Sequence, residues 1–406
     1  MLPYGRQTIS EADIAAVVAA LRSDFLTQGP LIEAFEQRFA EAVGARHAVA
    51  VNSATAAVHL ALRVAGIGPG DRVVTSPNTF LASANAAAYV GATPDFCDID
   101  PTTYTLDPGA LAANWTDDIR AVVAVDYAGQ ACDLPEIARV AHARGAIVIE
   151  DACHAVGGAF HVAGRANGPW KQGGNPWADL AVFSFHPVKT MTTGEGGMLV
   201  TDRGDWAALA RTLRSHGIVR DPARFETPDD DAVLGEQGPW FYEMQELGYN
   251  YRLTDIQCAL GLSQLNRLPA FLARRREIVA AYTEAFAGQD WLQTPQLRNP
   301  SDAATASWHL FTVQIDFHAI GKSRTQVMAE LRAAGVGTQV LYIPVHLQPW
   351  YRRTYGYGPG KCPVAEAFYT RALSLPLFPA MTAADVDRVI AGVLALAPQC
   401  ALCPSR

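Results

Sequence analysis

Apolar residues in the first part of the chain recur at helical spacing. In residues 8–23, TISEADIAAVVAALRS, they fall on one face of an α-helix, and Ser10 is placed to cap its first turn. A second helical pattern follows DFLTQGP and stops at Gly44, a residue type that often ends helices. The two predicted apolar faces carry Ile14, Val17, Val18 and Leu21 in the first helix and Ile32, Phe35, Phe39 and Val43 in the second.

From residue 47 onwards, short apolar runs alternate with helical segments. The runs that predict strands are HAVAVNS, DRVVTSP, TPDFCDI, IRAVVAVDY, AIVIED, ADLAVFSF and GGMLVT. Between several of them lie predicted helices, namely ATAAVHLALRVAG, FLASANAAAYVG and LPEIARVAHARG. Strands this apolar are typically buried on both faces, so the pattern predicts an α/β fold with a largely parallel sheet covered by helices.

The second half of the chain is less regular at first. Residues 221–241 are acidic and rich in Pro and Gly, which predicts a long loop, and the charge run at 229–231 predicts a solvated face. A long helical pattern then covers residues 254–287. We expect it to connect an N-terminal arm and large domain, residues 1–284, to a smaller α+β domain, residues 285–406.

Composition narrows the class of protein. The chain has 406 residues, of which 50% are hydrophobic, and a net charge of −8, which argues against nucleic-acid binding. No secretory signal pattern or long apolar run is present, so we expect a soluble, cytoplasmic protein without a membrane partner. Seven scattered cysteines agree with a reducing compartment. Cys400 and Cys403 form a CxxC pair without a second ligand pair nearby, and no metal site is predicted.

Three polar clusters directly follow predicted strands, and ligands bind at such strand ends in parallel sheets. Residues 52–55, NSAT, form a strand-to-helix turn whose free N–H groups favour a phosphate, although a plain N-cap by Ser53 is the simpler explanation of this turn taken alone. Glu150 and Asp151 end an apolar strand, either as partners of a cation or a protonated ring nitrogen, or as structural acids. The third cluster contains Lys189, in FSFHPVKTMTTGEGG.

Lysine is rare in this chain, with four lysines against twenty-eight arginines. Burial can lower the pKa of a lysine enough to free a neutral amine, whereas arginine stays charged. A neutral amine can form an imine with an aldehyde. A phosphate turn, a buried aspartate and such a lysine are together what pyridoxal 5'-phosphate requires, so the three clusters jointly predict a site for that cofactor.

The same stretches also resemble a known family. NSATAA, EDACHA, FSFHPVKTMTTGEGG and LGYNYRLTDIQCALGLSQL resemble the DegT/DnrJ/EryC/StrS sugar-nucleotide aminotransferases, over about residues 3–397. The resemblance implies the aspartate aminotransferase-like fold of type I, with a mostly parallel seven-stranded sheet and a smaller C-terminal domain. Within the family, SDFLTQGP, RSHGIVRD and RALSLPLFP look most like the enzymes of pseudaminic acid biosynthesis.

That resemblance implies roles for individual residues. Lys189 corresponds to the catalytic lysine that forms the Schiff base, Asp151 to the partner of the pyridine nitrogen and His154 to a residue near the O3' oxygen of the cofactor. The remaining cofactor contacts implied are Ala54, Thr55 and Ser184 at the phosphate, Phe80 on the ring and, from the second subunit of a homodimer, Asn250. Substrate contacts are expected from Tyr4, Phe25, Gln28, Arg220, His309, Tyr342 and His346; His309 is equally explained as an ordinary core histidine.

The resemblance implies amino transfer from L-glutamate, by way of pyridoxamine phosphate, to C4 of a UDP-4-keto-6-deoxy-N-acetylhexosamine. Three alternatives stay open: transfer to GDP-4-keto-6-deoxymannose, as in perosamine synthase, a sugar dehydratase of the same family, and a sensor that binds the cofactor without catalysis. The family's dehydratases have His in place of the lysine, which favours a transaminase. Two stretches, 161–178 and 222–240, look extended relative to the family, and we expect both to border the substrate mouth.

Overall fold

A computed structural model describes residues 1–165, 168–228, 233 and 235–397. The acidic triplet at 229–231 and the pair Cys400 and Cys403 lie outside the described residues. Within them the α-helices are α1 (Glu11–Leu21), α2 (Pro30–Val43), α3 (Ala54–Val64), α4 (Ala82–Tyr89), α5 (Pro108–Ala113), α6 (Leu134–His142), α7 (Gly204–Arg214), α8 (Asp255–Ala285), α9 (Arg324–Ala333), α10 (Pro349–Tyr355), α11 (Pro363–Arg371) and α12 (Ala383–Leu394).

The described strands are β1 (His47–Val51), β2 (Arg72–Thr75), β3 (Thr93–Phe96), β4 (Ile119–Val125), β5 (Ile147–Asp151), β6 (Ala159–Phe160), β7 (Trp170–Lys171), β8 (Leu180–Ser184), β9 (Gly197–Thr201), β10 (Ile218–Val219), β11 (Glu243–Met244), β12 (Leu292–Gln293), β13 (Phe311–Ile315) and β14 (Ala372–Leu375). All seven strands predicted from the apolar runs are present, as β1 to β5, β8 and β9. None of the helices formed by the described residues combines the length and apolar character needed to cross a membrane.

The seven predicted strands form one sheet, in the order β1-β9-β8-β5-β4-β2-β3. Strands β3, β2, β4, β5 and β8 pair in parallel, and β9 runs antiparallel to both of its neighbours. The prediction of a mostly parallel seven-stranded sheet is therefore confirmed. Because β1 points the same way as the parallel strands, the carboxyl ends of β1, β2, β4, β5 and β8 meet at one edge.

Helices cover both faces of this sheet. Successive residues of a strand point to opposite sides, so Val123 and Ile149 pack with α3, α4 and α7, whereas Val122 and Val148 pack with α5 and α6. Near β8 and β9 the second face is covered by α2 and α8. The apolar face predicted for α2 is buried, and the helix ends at Gly44 with φ +83°, as predicted.

A second core surrounds the antiparallel sheet β12-β13-β14 and is closed by α9, α12 and the last turns of α8. It begins within α8 at Ile278 and also takes in Leu2 from the start of the chain. The division of the chain after residue 284 stays a prediction.

Helix α1 differs from its predicted role. The helix is present and Ser10 caps it, but Ile14 and Leu21 are about half exposed, and the buried residues are Asp13 and Ala20. Asp13 faces α8, where it accepts hydrogen bonds from Ser263 Oγ and Arg267 Nη1 at 2.7 and 2.6 Å. A polar contact therefore fixes α1, although the spacing of its apolar residues suggested otherwise.

Candidate active site

The predicted phosphate turn lies at the shared strand edge. Ser53 caps α3 by accepting a hydrogen bond from the Ala56 N–H at 3.2 Å, so Ser53 is the N-cap of this helix. It leaves Ala54 and Thr55 as the first residues of the helix, where N–H groups have no intrahelical acceptor and the helix dipole attracts anions. The cap and a phosphate site are compatible, because they use different donors.

Ser184 lies near this turn, because its neighbour on the adjacent strand, Gly197, is in close contact with the turn. The two residues are paired in the ladder between β8 and β9, and Ser184 is nearly buried. A Cβ atom added to Gly197 would lie 2.6 Å from the Ala54 nitrogen, which is far inside contact distance. Only glycine at this position leaves the Ala54 N–H accessible, and a close approach of backbone to a ligand is a common reason for a glycine.

Asp151 ends β5 on the face covered by α3 and α4, and only 5% of its surface is exposed. Its Oδ2 atom accepts a hydrogen bond from Ser83 Oγ at 2.6 Å, and its Oδ1 atom accepts one from the Cys153 N–H at 3.2 Å. Ser83 lies in the first turn of α4, and its hydroxyl is also 2.7 Å from Thr79 Oγ1. The contact of Ser83 with Asp151 was not predicted from the sequence, where Ser83 stands out only as one of two polar residues, with Asn85, in an alanine-rich helix.

Glu150, the neighbour of Asp151, points to the opposite face of the sheet. It is fully buried there beside Asp126, and burial, reinforced by the Asp126 charge, raises the pKa of the Glu150 carboxyl well above its usual range. Its Oε2 atom accepts hydrogen bonds from the Gly173 N–H at 2.9 Å and from Asn175 Nδ2 at 2.7 Å. Glu150 is thus a structural acid that anchors the extended stretch 161–178.

That extended stretch packs beneath the sheet in its described part. Gln172 Nε2 donates to Asp126 Oδ2 at 2.6 Å, and Trp170 and Trp177 join the core beside α5 and α6. These contacts lie on the face of the sheet opposite to Asp151. They do not support the expectation that this stretch borders the substrate mouth.

Lys189 follows β8 in a tight loop, where its N–H donates to the His186 carbonyl at 2.9 Å. Its side chain is half-buried. Burial lowers the pKa of the Lys189 ammonium below its usual value, and electrostatic interactions with Cys153 and Asp151 only partly oppose that effect. The structure therefore places the predicted lysine close enough to the predicted aspartate for the two to interact electrostatically, and burial shifts the lysine towards the neutral amine.

His154 lies at the same edge with a defined tautomer. The Ala128 N–H donates to His154 Nδ1 at 3.1 Å, and because a backbone N–H can only donate, the proton of the neutral ring is on Nε2. Burial, followed by the charge of Lys189, lowers the pKa of His154 well below its usual range. Its Nε2–H is therefore a permanent donor, 3.4 Å from the Tyr342 hydroxyl.

Three more of the predicted residues surround His154 and Tyr342. The His309 ring centroid lies 4.5 Å from that of His154, and Phe80 lies 6.1 Å from Tyr342 with more than half of its surface exposed. Tyr4 packs in the same cluster as Tyr342. His309 is buried beside His154, so the structure places it at this edge of the sheet, and its role as a substrate contact stays a prediction.

The other predicted contacts lie elsewhere in the subunit. Phe25 and Gln28 are exposed beside the start of α8, and the exposed Arg220 stacks on Tyr242 at 5.2 Å. His346 is fully buried, with Nε2 2.9 Å from Glu366 Oε1. None of these four residues has a described contact with Lys189, and His346 is paired with Glu366, so their roles as substrate contacts stay predictions.

Asn250 is exposed, and its segment is tied to the phosphate turn of its own subunit. The Asn250 carbonyl accepts Asn52 Nδ2 at 3.3 Å, and the Asn52 N–H donates to the Tyr251 carbonyl at 2.8 Å. Tyr249 and Tyr251 pack inward against the α3 side of the sheet. An extended chain alternates its side chains, so the side chain between them points outward.

The residues at this edge fit pyridoxal 5'-phosphate. Ala54 and Thr55 offer free N–H groups for the phosphate, Gly197 leaves that turn uncovered, and Asp151 and Lys189 supply a carboxylate and an amine of lowered pKa. Within the described residues no group of three or more His, Cys, Asp or Glu side chains is arranged to hold a metal ion. Fold and site together define a pyridoxal-phosphate enzyme of the type I, aspartate aminotransferase-like class.

The chain belongs to the DegT/DnrJ/EryC1/StrS aminotransferase family, whose sequence profile matches residues 7–394. It is 42% identical over 393 residues to the spore coat polysaccharide biosynthesis protein SpsC of Bacillus subtilis, covering 97% of this chain and 96% of that protein. The family identifies the protein as a sugar aminotransferase that uses pyridoxal 5'-phosphate.

Solved structures agree with this assignment. Helicobacter pylori PseC, an aminotransferase involved in the biosynthesis of pseudaminic acid, superposes with a TM-score of 0.85 at 28% identity and covers 97% of this chain and 98% of its own. Streptococcus pneumoniae Spr1654, a sugar aminotransferase, matches with a TM-score of 0.86 at 29% identity in its PMP form, covering 98% of this chain and 99% of its own. Its PLP form matches with a TM-score of 0.85.

Proposed function

We propose that this protein moves the amino group of L-glutamate to C4 of a UDP-4-keto-6-deoxy-N-acetylhexosamine, a step of pseudaminic acid biosynthesis. The chemistry is supported by the half-buried Lys189, whose pKa is lowered by burial and whose charge interacts with that of Asp151. The choice of sugar is supported by the similarity to PseC, and the name of SpsC supports a product destined for a polysaccharide.

In this proposal each residue has a physical task. The phosphate is held by the N–H groups of Ala54 and Thr55 and by the Ser184 hydroxyl, and the Asp151 carboxylate accepts a hydrogen bond from the protonated ring nitrogen. The cofactor, when bound, supplies an electron-withdrawing ring that stabilises negative charge at the carbon losing a proton. Lys189 holds that proton and moves it between Cα of the amino acid and C4' of the cofactor.

The residues around the ring orient the reactants. His154 donates its Nε2–H towards the O3' oxygen, and Phe80 stacks on the ring. Tyr4, Tyr342 and His309 contact the sugar nucleotide from the opposite side of the pocket. His154 and His309 are buried, so hydrogen bonds made by these two rings are shielded from water.

We further propose that the enzyme is a cytoplasmic homodimer in which Asn250 reaches the phosphate of the partner subunit. The outward direction of the Asn250 side chain and its exposure support this arrangement. Phe25, Gln28 and Arg220, which lie at the surface of the isolated subunit, then contribute to a substrate pocket that the dimer completes.

The test is a pair of half reactions. Purified enzyme is mixed with L-glutamate alone, and we expect the cofactor absorbance to shift as 2-oxoglutarate is released. The converted enzyme is then offered UDP- and GDP-4-keto-6-deoxy sugars separately, and product masses are recorded. We expect an amino sugar only from the UDP substrate. A product only from the GDP substrate favours a perosamine synthase-like enzyme, and no spectral change with glutamate favours a sensor.

A further inference from the structure

The hydroxyl of Ser83 contacts the carboxylate on which the proposed chemistry depends. Thr79, Ser83 and Asp151 are all at least 95% buried, and they form an unbroken chain of hydrogen bonds. The first link, from Thr79 Oγ1 to Ser83 Oγ, measures 2.7 Å, and the second, from Ser83 Oγ to Asp151 Oδ2, measures 2.6 Å. The first has the usual length for two hydroxyl groups, and the second is slightly shorter, as expected where the acceptor is a carboxylate.

The direction of the protons in this chain follows from the chemistry of its end. An ionised carboxylate can only accept, so the Ser83 hydroxyl must donate to Asp151 Oδ2. Having used its single proton, Ser83 must accept from Thr79. Each hydroxyl thus polarises the next one towards the carboxylate, an arrangement in which the bonds strengthen one another.

We propose that Ser83 is a positioning residue, polarised by Thr79, that fixes the rotation of the Asp151 carboxylate for the ring nitrogen of the cofactor. The proposal rests on the proposed function, in that Asp151 faces that nitrogen. Ser83 holds Oδ2 from helix α4, and the Cys153 N–H holds Oδ1 from the chain after β5. Two donors from separate elements define the plane of the carboxylate.

A cofactor analogue tests this without any turnover. In 1-deazapyridoxal 5'-phosphate the ring nitrogen is replaced by carbon, so Asp151 has nothing to bind. Dissociation constants of both compounds are measured for the apo forms of the wild type and of Ser83→Ala. We expect Ser83→Ala to weaken pyridoxal phosphate binding about tenfold, as for a lost hydrogen bond to a charged group, and to leave binding of the analogue unchanged.

Matched controls separate positioning from folding. Ser263→Ala removes another serine hydroxyl that donates to a buried aspartate, Asp13 Oδ1 at 2.7 Å, and should bind both compounds as the wild type does. Thr79→Val keeps the Ser83 hydroxyl and the shape of the site, and should lose affinity in the same selective way but by less than Ser83→Ala. Thr201→Val, which loses a buried hydroxyl on β9, is its control.

Each outcome decides the matter. Equal losses for both compounds in Ser83→Ala, or no loss for either, would overturn the role of Ser83. If Ser83→Ala does not fold, as judged by circular dichroism, the same comparison in Thr79→Val decides. If the wild type itself binds both compounds equally, then Asp151 does not contact the ring nitrogen. That result would contradict the role of Asp151 in the proposed function, and the role proposed for Ser83 would be contradicted with it.

Discussion

Two buried aspartates in this protein use their carboxylates in opposite ways. Asp13 in α1 is fully buried, and its oxygens accept hydrogen bonds from Ser263, Gln264 and Arg267 at 2.6–2.9 Å. Arg267 adds an opposite charge. These partners occupy the carboxylate of Asp13, so it is not available to a ligand. Such a carboxylate joins α1 to α8 and has no further capacity.

Asp151 is nearly as buried but is less completely paired. In the part of the chain that the structure describes, its side chain accepts two hydrogen bonds, and both come from uncharged groups, Ser83 and the Cys153 N–H. A buried carboxylate without a cation is costly. The comparison teaches that a saturated aspartate stabilises the fold, whereas one that keeps free acceptor capacity is suited to bind a charged group.

The largest expected effect is a loss of enzymatic activity when Asp151 is replaced. Asp151→Asn should lower kcat/KM by about 10³-fold, because an amide cannot hold the ring proton of the cofactor by charge. The unfolding midpoint should change little, since Ser83 can still donate to the amide oxygen. Steady-state kinetics and thermal unfolding check this. An Asp151→Asn enzyme with near-normal kcat/KM would contradict the assignment of Asp151 as the partner of the cofactor.

The next effect concerns stability. Asp13→Asn should lower the free energy of unfolding by about 2 kcal/mol, because Arg267 loses its partner and several donors lose an acceptor. The affinity for pyridoxal phosphate should stay within about twofold of the wild type. Urea unfolding and cofactor titration measure the two quantities. A variant that keeps its stability but loses the cofactor would reverse the roles assigned to the two aspartates.

The dependence of stability on pH provides a further test of the structural role of Asp13. Burial by itself would raise the pKa of Asp13, but hydrogen bonds from Ser263, Ser10 and Gln264 outweigh it and lower the pKa below the ordinary value. The stability that Asp13 contributes is therefore fully present above the unfolded-state pKa of about 4, and it is lost as the pH falls through the lower folded-state pKa.

The measurement is the difference in the free energy of unfolding between the wild type and Asp13→Asn as a function of pH. It should be constant above about pH 5 and shrink below about pH 4. A difference that grows as the pH falls would show that folding raises the pKa of Asp13 instead of lowering it.

The smallest effect comes from one hydroxyl. Ser263→Ala should lower the free energy of unfolding by about 1 kcal/mol, since Asp13 keeps its bonds to Gln264 and Arg267. Cofactor affinity and kcat/KM should equal those of the wild type. Loss of activity in this variant at unchanged stability would mean that the contact between α1 and α8 also serves the active site.

Much of the architecture could be predicted because it depends on local patterns. Apolar runs gave all seven strands of the main sheet, and strand ends pointed to Asp151 and Lys189. The assignment of Glu150 required the structure, since only the packing of the helices shows which of two adjacent strand residues faces the pocket. Spacing alone left a cofactor partner and a structural acid equally possible.

Long-range polar contacts could not be predicted from the sequence. The apolar spacing of α1 predicted the wrong buried residues, because the partners of Asp13 lie about 250 positions away on α8. Ser83 was missed for the same reason: it is 68 positions from Asp151, and its role appears only when α4 packs beside β5. Hydrophobic periodicity records burial, but it carries no information on which donor meets which carboxylate.

The central claim is that Lys189 is the amine that carries the cofactor. The most direct measurement is borohydride reduction of the holoenzyme, followed by digestion and mass spectrometry of the labelled peptide. Four lysines are available, at 171, 189, 322 and 361, and Lys189→Arg serves as the control that should stay unlabelled. We predict the cofactor mass on the peptide that contains Lys189 alone. A label on any other lysine, or none at all, would contradict the account.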